Sequence, residues 1–223
     1  MKVNGMNIEG IIRVANAEVY GLSESIIASS YPMANEYCDN MDNYEMNEKD
    51  YKRAKHLGTA KPGEGHDCYL KGILLQFDLQ VPEYIWRQLD RYHFIDYISS
   101  QSKMHRILQF DIDEMCNKYV SEEAIVNVKR WIEYYNSYEM YVRHVEKIEL
   151  RNGEDIEFTK ENIFKMIIAN CPCGLMLTAR MSTNYLQLKS IINQRQNHKM
   201  QEWRYLTDWF KTLPMVEQIV LKK

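Results

Sequence analysis

The segment from Val81 to Arg106, VPEYIWRQLDRYHFIDYISSQSKMHR, concentrates polar groups: Arg87, Gln88, Arg91 and His93, then Ser99, Ser100, Gln101, Ser102, Lys103, His105 and Arg106. A helix carried through Arg91 would set Arg87 and Arg91 one turn apart with Gln88 beside them, so three donors would project to one side. Two arginines repelling each other across a turn make chemical sense when an anion lies between them, because guanidinium groups hold phosphate bidentately. The same residues admit a plainer reading, surface arginines paired with Glu83 and Asp90. A second constellation begins at Asn184. Arg195 lies eleven residues on, three turns of a helix at about 3.6 residues per turn, so it extends the stripe of Leu188 and Ile191. A cation continuing an apolar stripe either snorkels to solvent or awaits an anionic partner or ligand.

Other chemistries lack their signatures. No serine sits in GxSxG, although His93 and His105 flank the serine run. Neither GxxxxGK[ST] nor GxGxxG occurs, so any nucleotide or flavin binds without such a phosphate loop. The five cysteines (Cys38, Cys68, Cys116, Cys171, Cys173) are odd in number and scattered, against a disulfide framework. Cys171-Pro172-Cys173 and the His66/Cys68 pair miss the CxxC and HExxH spacings of zinc sites, so no metal is expected.

The elements that must position these groups follow from periodicity. Gly10 to Tyr20 alternates like a strand that Gly21 ends, and a short helix follows over Leu22 to Ser29. Between Asn35 and Lys55, Tyr37, Met41, Tyr44 and Tyr51 keep helical spacing, and Glu36, Asp39, Asp42, Glu45 and Glu48 recur at every third position, which predicts an exposed acidic helix with a solvated carboxylate face. Lys61-Pro62-Gly63-Glu64-Gly65 reads as a loop delivering His66 to an apolar strand, Leu70 to Val81, and Pro82 suits the first position of the next helix. Ser121 caps a helix whose stripe runs Ile125, Val128, Ile132, Tyr135, Tyr138, Val142, Val145. Asn152-Gly153 predicts a hairpin between Ile148 to Leu150 and Ile156 to Phe158, and Thr159 caps a helix ending before Pro172. Leu175 to Thr183 alternates as a strand, Asn184 caps the next helix, a further amphipathic helix covers Met200 to Lys211, and Pro214 sets off a terminal segment.

Composition sets the frame for these elements. At 223 residues, with 45% apolar and 26% charged residues, the chain reads as one mixed domain over 1–223 with a core of its own. Twenty-eight basic against 31 acidic side chains predict no nucleic-acid or acidic-membrane partner. No stretch approaches the roughly 20 apolar residues of a membrane span, and the polar start MKVNGMNIEG resembles neither a signal nor a transit peptide, so the expectation is a cytoplasmic protein. Internal repeats and low-complexity linkers are absent from the sequence.

Taken in order, these motifs resemble the flavin-dependent thymidylate synthases. That family's signature helix carries RQ, three residues later an R-H-R triplet, then seven residues and a serine; Arg87-Gln88 followed by Arg91-Tyr92-His93 is similar to it. Asn184, Asn193, Arg195 and Gln201 match the family's later helix, and His66 matches its histidine before a long apolar strand, so the likeness runs from about His66 to Gln201 and leaves residues 1–60 poorly matched. The triplet departs as R-Y-H, Gln101 stands at the serine position between Ser100 and Ser102, one inserted residue would restore Ser102, and Lys103 replaces the phosphate-binding arginine, with Arg106 nearby. A lysine keeps the charge and loses the guanidinium fork.

The resemblance implies an α+β fold, a mostly antiparallel sheet flanked by helices, assembled as a homotetramer with FAD at the subunit boundaries. It implies reductive methylation of dUMP to dTMP, with methylenetetrahydrofolate and NADPH as co-substrates. By similarity, Gln88, Ser100, Ser102, Lys103 and Arg195 bind dUMP, Ser102 and Arg195 are the catalytic candidates, and His66, Arg91, His93, Asn184 and His198 hold FAD. His198 is one residue out of the family's register. Two other functions stay open: a related flavin enzyme acting on another pyrimidine nucleotide, and a catalytically inactive nucleotide-binding protein of the same fold.

Overall fold

A computed structural model describes residues 1–35, 41, 44–61 and 64–221. Its strands and helices run β1 (Lys2–Val3), β2 (Met6–Ile8), β3 (Ile12–Tyr20), α1 (Leu22–Ala28), α2 (Glu48–Gly58), β4 (Leu74–Pro82), α3 (Glu83–Leu89), β5 (Asp96–Ser100), α4 (Lys103–Arg106) and α5 (Ile112–Met115). They continue with α6 (Glu122–Asn136), α7 (Tyr138–Tyr141), β6 (Lys147–Glu149), β7 (Asp155–Glu157), α8 (Lys160–Asn170), β8 (Met176–Asn184), α9 (Tyr185–Arg195), α10 (Gln201–Lys211) and α11 (Val216–Ile219). The architecture is α+β, as expected. A six-stranded sheet is ordered β1-β3-β4-β8-β5, with β2 also on β3, and β1/β3, β2/β3, β3/β4 and β5/β8 pair antiparallel.

Contacts gather into two compact units: residues 1–80, 88–100 and 178–223, and residues 81–87 and 101–177. In the first, the alternation of β4 buries Leu75, Phe77 and Leu79 completely, each contributing about 1.5–3 kcal/mol. Phe77 meets Trp209 and Phe210 of α10 at 5.3 and 5.9 Å between ring centroids. Gly21, which ends β3, has φ 69°, and a Cβ there would lie 2.5 Å from the Gly72 carbonyl oxygen, so only glycine fits the turn. Arg180 ties three strands by donating to the Asn16 carbonyl at 2.6 Å and to Asp78 at 3.2 Å.

The second unit packs α6 and α8 around Ile107, Ile112, Val128, Phe158, Ile163, Ile167 and Leu175. The expected caps hold there, with Ser121 accepting from Ala124 and Thr159 from Asn162. Ile148 pairs with Ile156 in the predicted hairpin.

Three expectations change. The helix drawn over Asn35 to Lys55 is α2, which starts only after Asn47. Asn47 accepts from Lys49 and Asp50 while the Asp50 carboxylate accepts from the Asn47 amide, a reciprocal cap that fixes the start. Glu45 precedes that helix, and Glu36, Tyr37, Cys38, Asp39 and Asp42, like Pro62 and Gly63, lie outside the described residues. The stripe read through Val145 is interrupted at Ser137, which closes α6 before the single turn of α7. Finally, α3 stops at Leu89 instead of reaching Arg91. Among the described residues no helix is long and apolar enough to cross a membrane, and no group of three or more His, Cys, Asp or Glu side chains is placed to hold a metal ion.

Candidate functional site

The early end of α3 decides where its polar residues go. Beyond Leu89 the backbone closes a turn in which the Tyr92 amide donates to the Leu89 carbonyl at 2.8 Å. Tyr92 then points inward, 7% exposed, while its neighbours Arg91 and His93 stay exposed. Arg87 and Arg91 therefore share no helical face, and the three-donor cluster drawn from a longer helix does not form. Arg87 approaches Glu83 at 3.9 Å, close to the plainer reading, whereas Asp90 accepts from the Tyr97 hydroxyl at 2.9 Å.

What does assemble is a cluster around Trp203 of α10. Its indole N–H donates to Gln88 Oε1 at 2.9 Å. The Arg195 guanidinium lies 4.9 Å from the Trp203 ring centroid and 4.7 Å from that of Tyr92, contacts worth roughly 0.5–2 kcal/mol each. Tyr92 and Trp203 meet edge to face at 5.4 Å, and the Tyr92 hydroxyl donates to Gln194 at 3.0 Å. Among the described residues no acid pairs with half-buried Arg195. Two aromatic faces hold it, and its buried Nε has no hydrogen-bond partner among the described residues. Burial raises the Tyr92 phenol above its ordinary pKa, against the opposing pull of Arg195.

His198 joins the same cluster, with its ring 6.2 Å from that of Trp203. The Met200 amide donates to His198 Nδ1 at 3.2 Å, so a neutral ring carries its hydrogen on Nε2. Burial and then the charges of Arg195 and Lys199 hold its pKa below the usual histidine value. Neutral His198 is thus a donor.

The remaining candidates are placed separately. Asn184 caps α9 by accepting from the Gln187 amide at 3.0 Å. Exposed His66 precedes buried Asp67, which binds Lys189 of α9 at 2.7 Å. A cavity of about 760 Å³ beside His66 is lined mainly by apolar atoms, with Ser29, Arg53, Cys68 and Tyr69 among its walls. Ser100 ends the exposed strand β5 opposite Ala179. In the other unit Ser102 caps α4, accepting from the His105 amide at 3.3 Å, and Lys103 donates to both oxygens of Glu83 at 2.9 Å. Lys103 therefore already has a carboxylate counterion. In that unit burial pushes the Cys116 and Cys171 thiols up to about 11.

Tyr92 and Trp203 are the components that sequence reasoning did not assign to the site. Their one signal was the arginine on an apolar stripe, which needs a face to lie on.

Comparison with solved structures identifies the architecture. The chain is similar to thymidylate synthase X from Helicobacter pylori solved with FAD and dUMP, with a TM-score of 0.65 at 13% identity over 95% of this chain and 98% of that one. A second structure of that flavin-dependent enzyme with FAD and dUMP gives 0.62 at 13% identity over 94% and 97%. A UMP/dUMP methylase from Streptomyces cacaoi, bound with 5-bromo-dUMP, gives 0.55 at 13% identity over 96% and 93%. The fold is that of the flavin-dependent thymidylate synthases, and a UMP/dUMP methylase shares it. No protein-family sequence model matches the chain, and no curated protein matches it by sequence.

Proposed function

We propose that the protein is a flavin-dependent thymidylate synthase that methylates dUMP to dTMP. The observation that carries the reading is the cluster of Gln88, Arg195 and His198 around Trp203, set in a fold whose solved examples bind FAD and dUMP. Arg195 is the group for the pyrimidine: a guanidinium held on aromatic faces can stabilise the negative charge that develops as C5 becomes nucleophilic. Gln88 adds a neutral donor, and Ser100, Ser102 and Lys103 remain the further candidates that the resemblance names for the nucleotide.

FAD fits the residues present. The mainly apolar cavity that His66 lines supports a fused ring system beside that residue, and Arg91 and His93 offer exposed donors suited to a pyrophosphate. His66, Arg91, His93, Asn184 and His198 would hold it. When bound and reduced by NADPH, it supplies the reducing equivalents, and the transferred carbon comes from methylenetetrahydrofolate. We assign the working protein as a homotetramer.

A second reading, a related enzyme acting on another pyrimidine nucleotide, is favoured by the Lys103–Glu83 pair. It lies where the resemblance calls for a phosphate-binding arginine. Incubation with FAD, NADPH, methylenetetrahydrofolate and dUMP, UMP or dCMP, followed by mass spectrometry, tests both. A methylated dUMP supports the first reading, methylation of UMP or dCMP alone supports the second, and no methylated nucleotide with FAD bound refutes both.

A further inference from the structure

The Trp203 indole can only donate, so the Gln88 atom it meets at 2.9 Å is the amide oxygen. That bond fixes the amide's sense. It leaves the nitrogen of half-buried Gln88, with its two N–H groups, available as a donor. The same Trp203 ring, together with Tyr92, holds the Arg195 guanidinium, another group that only donates. One side chain therefore sets the sense of the Gln88 amide and the place of the Arg195 guanidinium. Trp203 is itself 1% exposed, with its ring locked between Tyr92 and His198, so its N–H cannot turn away.

We propose that Trp203 is a positioning and specificity-determining residue: it makes Gln88 and Arg195 a face of donors that accepts a uracil carbonyl and rejects the amino group that cytosine carries in its place. The proposal rests on the pyrimidine-nucleotide reading above. An amide free to turn over could offer its oxygen to an amino group, and Trp203 removes that option. An amino group facing these N–H donors would lose its bond to water and gain none in return.

Calorimetric titration with dUMP and with dCMP tests this in the FAD-loaded protein. The wild type should prefer dUMP by at least about tenfold, the scale of one mispaired polar group. Trp203→Phe keeps an aromatic face for Arg195 and loses only the N–H, so the preference should shrink toward equality while flavin stays bound. Gln88→Glu keeps Trp203 and an acceptor for it but removes the amide donors. It should weaken dUMP more than dCMP, and it decides the matter if Trp203→Phe does not fold. A changed overall affinity with an unchanged dUMP-to-dCMP ratio in the variants overturns the role of Trp203. A wild-type protein that binds neither nucleotide overturns the underlying functional reading instead.

Discussion

Asp67 and Lys189 form an ion pair whose side chains are each 7% exposed, 2.7 Å apart. The ammonium also donates to the Gly58 and Ala60 carbonyls at 2.9 and 2.6 Å, so its three N–H groups are all engaged. Asp67 adjoins His66, and the pair pins the His66 segment to α9, the helix that ends in Arg195. Asp67→Ala leaves a buried ammonium facing two carbonyls and no counter-charge. Loss of one partner of such a pair costs about 3–5 kcal/mol. At about 2–4 °C per kcal/mol for a chain of this size, the unfolding midpoint should fall by about 10 °C. Lys189→Met strands the carboxylate and should also destabilise, by a similar amount. The double variant Asp67→Ala/Lys189→Met removes both charges, so its loss should be smaller than the sum of the single losses by about 2 kcal/mol or more. Thermal and urea unfolding followed by tryptophan fluorescence give the three values. A single-variant loss below about 1 kcal/mol, or strict additivity, would refute the claim that this pair is a buried, mutually dependent unit.

Three further outcomes follow from the same structure. Arg195→Ala should weaken dUMP binding by about 100-fold while leaving flavin largely bound, whereas Lys103→Ala should cost less than about tenfold because Lys103 is already paired with Glu83; equal losses would remove the distinction. His198 should titrate below the ordinary histidine value of 6.5, and Arg195→Ala should move its midpoint upward, both read by NMR. Because the folded pKa is depressed, the unfolded chain takes up the proton first as pH falls. The His198 contribution is therefore full above 6.5 and is lost as pH falls from there through the folded pKa, and His198→Gln should flatten that part of the stability profile. Buried Cys116 and half-buried Cys171, whose thiols desolvation pushes up to about 11, should alkylate far more slowly at pH 8 than exposed Cys68, and comparable rates would contradict that shielding.

Much of the scaffold could be read from local signals. Ser121, Thr159 and Asn184 are side chains whose oxygen has one obvious use before an apolar stripe, and each caps its helix. Ala179, Met181 and Thr183 are buried while Thr178, Arg180 and Ser182 are less so, which is the alternation expected of β8. Where tertiary contacts overrule local preference, the sequence is silent. Neither glycine nor proline marks the end of α3; the chain turns there so that Tyr92 can reach Trp203. Lys189 lies on a helix where lysine ordinarily faces water, and its burial depends on Asp67 and two carbonyls distant in the chain. The candidate site was half legible. Arg195 stood out because a cation broke an apolar stripe, but the rings that receive it come from a turn and from another helix. The order β1-β3-β4-β8-β5 depends on pairings between segments far apart in sequence, which periodicity within a segment does not encode.

The most direct test of the central claim is the visible absorbance spectrum of the purified protein, taken with added FAD and then with dUMP. Flavin bands that appear on the protein and shift when dUMP is added are the predicted result, since both ligands would then occupy one site. A colourless protein that leaves added FAD unperturbed would contradict a flavin-dependent function and leave the likeness as one of fold alone.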